Sequence, residues 1–159
     1  MKIVSYAPKY KNDFVEMNKA WISEMFVLEE EDIREMGNIE PAIEKGGQIF
    51  FAVDDNDQVM ACCMIAPRED GDWEIMKFAA RGMYTGTGAG SACLKACIDY
   101  AREKHLPKVI IVSNRKCKHA VHLYRKFGFQ EISVDKKKFP FERADIAFEQ
   151  NFQYLANEA

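Results

Sequence analysis

The run Arg81-Gly82-Met83-Tyr84-Thr85-Gly86-Thr87-Gly88-Ala89-Gly90-Ser91 joins an apolar stretch, Trp73 to Ala80, to a strongly amphipathic one, Ser91 to Lys104. A strand, a glycine-rich turn and a helix start in that order make an anion site. Glycines at 86, 88 and 90 let backbone approach a phosphate closely, because no Cβ intervenes and positive φ costs little. The unpaired N–H groups of the first helical turn and the positive end of the helix dipole then face the phosphate oxygens. Glycine-rich strand-to-helix turns also arise for purely geometric reasons, so the rest of the chain has to decide between the two.

Three phosphate-binding patterns compete for this loop. A Walker loop ends in Gly-Lys-Ser/Thr, and no lysine follows Gly88 or Gly90. A dinucleotide site opens on the first strand of a βαβ unit, with an acid about 20 residues later for the ribose. Here Asp99 comes too early and lies inside the expected helix, and much of the chain precedes the loop. A pyrophosphate loop for coenzyme A is left.

From Phe78 to Gly90 the chain resembles the acetyl-CoA loop of the GNAT N-acetyltransferases, a strand end followed by Gln/Arg-x-x-Gly-x-Gly/Ala. Ile111-Val112-Ser113-Asn114 followed by His119-Ala120-Val121-His122-Leu123-Tyr124-Arg125-Lys126-Phe127-Gly128-Phe129 is similar to the family's next strand, its Asn, and its A-x-x-L-Y-x-K-x-G-F helix. Trp21-Ile22, the Gly46–Ala52 strand and Arg143-Ala144-Asp145-Ile146 look like one bacterial branch, so the likeness spans nearly the whole chain. It implies an α/β (α+β) fold with a central, mixed, mostly antiparallel sheet flanked by helices, whose splayed strands form the coenzyme cleft. Where the family has Gln or Arg, and often a second basic residue, this chain has Thr85 and Thr87. Backbone amides would then carry the pyrophosphate, with both hydroxyls still able to donate, and cofactor affinity is expected to be weakened.

Composition narrows the class. At 159 residues, with 48% hydrophobic and 30% charged side chains, the chain reads as one soluble globular domain, 1–159. A net charge of −3 gives no general attraction to nucleic acid. No signal peptide is apparent and no apolar run approaches the roughly 18 residues of a membrane span, so the expected compartment is the cytoplasm. Five cysteines, with Cys62 and Cys63 adjacent, Cys93 and Cys97 on one helix, and Cys117 alone, match no metal-ligand spacing. No metal is expected. No motif decides whether the chain forms a homodimer.

Apolar spacing predicts a first strand over Lys2 to Tyr6 and a helix carrying Phe14, Met17, Asn18, Trp21, Ile22, Met25 and Phe26. Glu29 to Lys45 reads as helical pieces broken near Gly37 and Pro41. Strands follow at Gln48 to Val53, Gln58 to Ala66 and Trp73 to Ala80. Beyond the glycine loop come a helix, a doubly buried strand from Lys108 to Val112, a helix stopping at Gly128, and two last strands. Lys136-Lys137-Lys138 reads as a solvated turn, and the tail beyond Phe152 is expected to fray.

The resemblance implies attack of an amine on the acetyl-CoA thioester, which needs a base for the amine, donors for the oxyanion and a proton for the thiolate. Tyr124 matches the family's general acid; its spacing with Leu123 and Phe127 equally suits a core aromatic. Glu74 lies on an apolar strand, where alternation places it on one face with Met76 and Phe78. Partial desolvation there would raise its pKa toward that of a useful base, unless it sits at the wet end of the strand. Backbone at Phe78, Ala79 and Ala80 is implied to bind the thioester carbonyl and pantetheine arm, and Thr85 to Ser91 (Thr85, Gly86, Thr87, Gly88, Ala89, Gly90, Ser91) the pyrophosphate. Asn114 is either a pantetheine contact or a turn residue. The acids Glu29 to Asp32 either draw in a cationic amine or complement a helix dipole. The expected activity is N-acetylation of a primary amine of an unidentified acceptor; a catalytically silent coenzyme A sensor of the same fold is the alternative.

Overall fold

The computed structural model describes residues 1–84 and 86–155; Thr85 and the end of the tail, 156–159, lie outside the described residues. The strands are β1 (Lys2–Ser5), β2 (Gln48–Val53), β3 (Val59–Pro67), β4 (Trp73–Ala80), β5 (Lys108–Ser113), β6 (Gln130–Ile132) and β7 (Ile146–Asn151). The helices are α1 (Lys11–Met25), α2 (Glu30–Met36), α3 (Ile39–Glu44), α4 (Ala89–Glu103) and α5 (Lys118–Lys126). The strands form one seven-stranded sheet in the order β1-β2-β3-β4-β5-β7-β6. Every neighbouring pair is antiparallel except β4 and β5, which run parallel. This is the mixed, mostly antiparallel sheet expected from the sequence.

Alternation along the central strands builds two cores, one on each side of the sheet. On β3, Cys62, Met64 and Ala66 face the α1 side with Phe14, Met17 and Phe51, while Ala61, Cys63 and Ile65 face α4 with Cys93, Leu94 and Cys97. Because both faces of β3 are covered, all its residues but the last are buried, and polar alternation never appears in its sequence. The helices follow the 3.6-residue stripe: Phe14, Met17, Asn18 and Ile22 are buried on α1, and Cys93, Leu94, Cys97, Ile98 and Ala101 on α4. Four cysteines are thus buried reduced thiols, as expected, and Cys117 is half-buried.

One expectation needs correction. Pro41 does not break the segment: it lies in the first turn of α3, where its missing N–H has no helical partner to lose. Lys136–Lys138 is the turn expected, with Lys136 and Lys137 exposed and Lys138 half-buried, but its ends are tied to the protein. Lys136 donates to the Phe141 carbonyl (2.7 Å), Lys138 pairs with Asp72, and Arg68 donates to the Lys138 carbonyl (2.9 Å) while stacking on Phe139. Those bonds fold the loop over the sheet and bury Phe139 and Phe141.

Gly47, entering β2, passes so close to its neighbours that a Cβ there would lie 2.8 Å from the Ala42 carbonyl oxygen and 3.0 Å from that of Ile65. Both are backbone atoms held by secondary structure, so they cannot swing aside. Gly47→Ala is therefore expected to cost about 2 kcal/mol or more. Urea denaturation should show a lower midpoint with an unchanged slope.

Candidate active site

The site begins with a failure of strand pairing. β4 and β5 share one register position, Glu74 opposite Ile110, and diverge beyond it. From Met76 to Ala80 the edge of β4 facing β5 is left without a ladder, which opens a slot through the sheet. A cavity of about 730 Å³ fills the slot. It is lined from one side of the sheet by Trp21, Met25 and Phe26, and from the other by Gly86, Gly88, Gly90 and Tyr124. Two ligands approaching from opposite faces would meet beside β4.

Within β4 the pairing is also irregular. Cys62 pairs with Ala79 and Met64 with Met76, so Cys63 alone stands opposite both Lys77 and Phe78. This is a β-bulge, and Lys77 at its centre has φ of +52°. The extra residue reverses the side-chain alternation beyond it. Simple period-2 counting puts Glu74, Met76 and Phe78 on one face, but beyond the bulge Phe78 lies on the other. Met76 packs with the α1-side core, whereas Phe78 packs with the α4-side core and against the Tyr124 ring, centroids 6.2 Å apart. The bulge also leaves Phe78 without a register partner on β3 or β5, while Ala79 and Ala80 remain paired with β3.

At the glycine loop, Gly88 is the residue before α4 and has φ of +86°, with nothing within 4 Å of where a Cβ would stand. That space is the cavity. Ala92 is the first α4 residue whose amide reaches back along the helix, to the Gly88 carbonyl (3.0 Å), and no side chain caps the turn. The Gly90 and Ser91 amides thus precede the helical ladder, the arrangement that suits an anion. Thr87 does not add to it: its hydroxyl donates to the Tyr84 carbonyl (2.6 Å) and accepts from the Ala89 amide (3.4 Å). Ala89 turns its methyl group into the core.

Glu74 is only 3% exposed, and its hydrogen-bond partner is Arg68, at 3.3 Å. Burial, reinforced by the charge of Glu35 and opposed by Arg68 and Lys77, raises its pKa to about 8. The wet-end reading of this residue does not apply. Tyr124, on α5, is 5% exposed among Phe78, Phe129 and Phe148. Burial, then the neighbouring Cys63 and Cys117 thiols, pushes its pKa up, so the phenol stays protonated. Cys117 also lines the cavity, but burial raises its thiol too, which disfavours a thiolate nucleophile.

Asn114 lines the cavity but spends its side chain on backbone. It donates to the Arg143 carbonyl (2.6 Å) and accepts from the Lys116 amide (2.8 Å), which is the turn reading of the two. Among the acids, Glu29 and Asp32 form a capping box at the start of α2. Asp32, itself buried, also holds two cations, the buried Lys77 (3.0 Å) and the half-buried Arg143 (2.7 and 2.5 Å). The sequence reading missed this network. Its one signal was Lys77, a lysine inside an otherwise apolar strand, which demands a buried partner. Among the described residues no cluster of side chains could hold a metal ion, and no helix is long and apolar enough to cross a membrane.

A carboxyl raised from 4.5 to about 8 couples stability to pH. Below 4.5 folded and unfolded chains both hold the proton. As pH rises through this window only the unfolded chain releases it, so Glu74 progressively destabilises the fold. The stability of Glu74→Gln relative to the parent is therefore expected to climb between about pH 4.5 and 8, by on the order of a few kcal/mol. Urea melts at both ends of the window measure that difference.

Comparison with known proteins agrees with this geometry. Residues 10–129 match the family model described as Acetyltransferase (GNAT) family. A GNAT-family acetyltransferase structure from Staphylococcus aureus Mu50 superposes with a TM-score of 0.84 at 18% identity, covering 96% of this chain and 99% of that one. The putative acetyltransferase yncA of Salmonella typhimurium, solved with its cofactor acetyl-CoA, gives 0.75 at 15% identity over 98% and 96% of the two chains. A ribosomal-protein-alanine N-acetyltransferase from Brucella melitensis gives 0.73 at 18% identity over 96% and 100%. No curated protein matches the sequence.

Proposed function

This chain belongs to the acetyltransferase (GNAT) family, and we propose that it transfers the acetyl group of acetyl-CoA to a primary amine. The observation that carries the reading is the slot between β4 and β5, with a buried carboxyl on one side and a buried phenol on the other. The amides at Gly90 and Ser91 suit a pyrophosphate, and the unpaired edge of β4 suits the amide groups of a pantetheine arm.

Each step then falls to a named group. Glu74 takes the proton of the incoming ammonium, leaving a neutral amine whose lone pair attacks the thioester carbonyl. A base near pH 8 is better matched to an amine of pKa about 10 than an ordinary carboxylate is. The amide of Phe78, which has no register partner across the bulge, would donate to the oxyanion. As the tetrahedral adduct collapses, the C–S bond breaks, Tyr124 donates its phenolic proton to the sulfur, and the surplus proton of the new amide nitrogen restores the phenol. Trp21, Met25 and Phe26 line the side from which the acceptor enters.

Calorimetry with acetyl-CoA, followed by a thiol-release assay over amino acids, polyamines, peptide N-termini and other amines, tests the assignment. Binding and turnover with at least one amine are expected; binding without turnover would instead favour a coenzyme A sensor. Gly88→Val would put a branched side chain into the anion site on a positive-φ residue and is expected to abolish detectable acetyl-CoA binding. A folded Gly88→Val that binds like the parent would move the pyrophosphate elsewhere.

Tyr124→Phe keeps the ring packing and removes the proton donor, so turnover should fall on the order of a hundredfold. For the base, kcat/KM is expected to rise with pH to a plateau above about 8, because Glu74 must shed its proton to act. Glu74→Gln should lose that limb while binding acetyl-CoA normally, and an unaltered pH–rate profile would assign the proton to another group.

A further inference from the structure

We infer that Lys77 is a positioning residue for this site: its ammonium, clamped between Asp32 and Glu35, fixes the β4 bulge that takes Phe78 out of register with β3 and ties that bulge to α2. The inference rests on the acetyltransferase reading for its consequence in turnover, but not for the geometry.

The backbone argument comes first. Lys77 holds φ of +52°, a left-handed conformation that a side chain disfavours and glycine takes freely. A lysine at such a position has a reason in its side chain, and here the reason is visible. Nζ donates to Asp32 Oδ1 at 3.0 Å and to Glu35 Oε1 at 2.8 Å, and the residue is buried. The Lys77 carbonyl accepts from the Cys62 thiol, Sγ to O 3.7 Å, in place of a ladder bond. The residue is thereby held at both ends across the bulge.

The partner is anchored as firmly. Asp32 accepts from the Glu29 amide (3.0 Å) and takes both Arg143 terminal nitrogens (2.7 and 2.5 Å), so the clamp joins α2, β4 and the segment leading into β7. Buried ion pairs add little stability over well-packed apolar side chains. What this one adds is a fixed geometry and a fixed charge inside the cavity wall.

The charge has a target. Glu74 is surrounded by Arg68 from the β3–β4 turn, Glu35 from α2 and Lys77 from its own strand, with Asp32 and Arg143 completing the cluster. Burial and Glu35 favour the neutral acid, while Arg68 and Lys77 favour the carboxylate. Removing the ammonium strips away one favourable charge and also leaves Glu35 uncompensated. Both changes push Glu74 toward higher pKa, and so toward a smaller fraction of active base below the midpoint.

The experiment compares Lys77→Met, Lys77→Gly and Lys77→Arg in the full-length chain. Glycine relieves the backbone and deletes the ammonium; arginine keeps a cation. The Glu74 carboxyl is titrated by ¹³C NMR, its signal assigned by its loss in Glu74→Gln, and kcat and acetyl-CoA affinity are measured in parallel. In Met and Gly variants the titration midpoint should rise by about half a unit or more, leaving roughly threefold less carboxylate below it. Turnover near neutral pH should fall about tenfold, with acetyl-CoA affinity within about twofold of the parent, and Lys77→Arg should stay near the parent in both. If Lys77→Met fails to fold, Lys77→Gly and Lys77→Arg decide the matter. A folded Lys77→Gly with the parent's titration and turnover overturns the inference. A parent that acetylates no amine overturns the acetyltransferase reading instead, and the titration still tests Lys77.

Discussion

Everything that gives this chain a site follows from β4 and β5 meeting at a single register position. A parallel pair in mid-sheet would normally run closed along its length, with its backbone groups spent on the ladder. Here they separate after Glu74 opposite Ile110, and the unpaired edge borders a slot that reaches both faces of the sheet. The two cores stay apart and well packed on either side, so the opening does not loosen the fold. The bulge at Lys77 and Phe78 adds a second local departure on the same strand. In the reaction proposed above, a cosubstrate and an acceptor entering from opposite faces would meet in such a slot.

Electrostatics then divides the labour. Burial moves Glu74 and Tyr124 in the same direction, toward their neutral forms, but with different consequences. For a carboxyl the result is a group near pH 8 that is able to accept a proton from an amine; for a phenol it is a group that keeps its proton available for a leaving thiolate. Burial alone would carry Glu74 further up. Arg68 and Lys77 limit the rise, and both are themselves held, Arg68 by the Lys138 carbonyl and Phe139, Lys77 by Asp32 and Glu35. The Lys136–Lys138 turn, though solvated, is therefore linked to Glu74 through Arg68.

Much of this was legible from local pattern, and what was not has a common cause. The helices showed themselves through stripes such as Leu94, Cys97, Ile98 and Ala101, and β3 through an unbroken apolar run, because burial of one face or two imposes those periods. Gly86, Gly88 and Gly90 marked the loop because only particular residues suit a close approach to an anion, and Glu74 and Tyr124 stood within recognisable spacings. Phe78 was assigned to the wrong face because a bulge adds one residue to the count without leaving a glycine to announce it. The Thr87 hydroxyl, expected to remain able to donate to a ligand, is spent on backbone, and backbone partners likewise favour the turn reading of Asn114 over the pantetheine contact.

By itself, then, the sequence determined the order and type of the elements, the position of the glycine-rich loop and the family to which the pattern belongs. These depend on neighbours within a few residues, or on motifs read along the chain. Only tertiary structure decided that Lys77 and Arg143 meet on the buried Asp32, with Asp32 separated by 45 residues from Lys77 and by 111 from Arg143. It likewise decided that Glu74 is buried deeply enough to titrate near pH 8. The strength of a charge depends on how much water and which countercharges surround it. Those surroundings are assembled from distant segments only when the sheet closes around them.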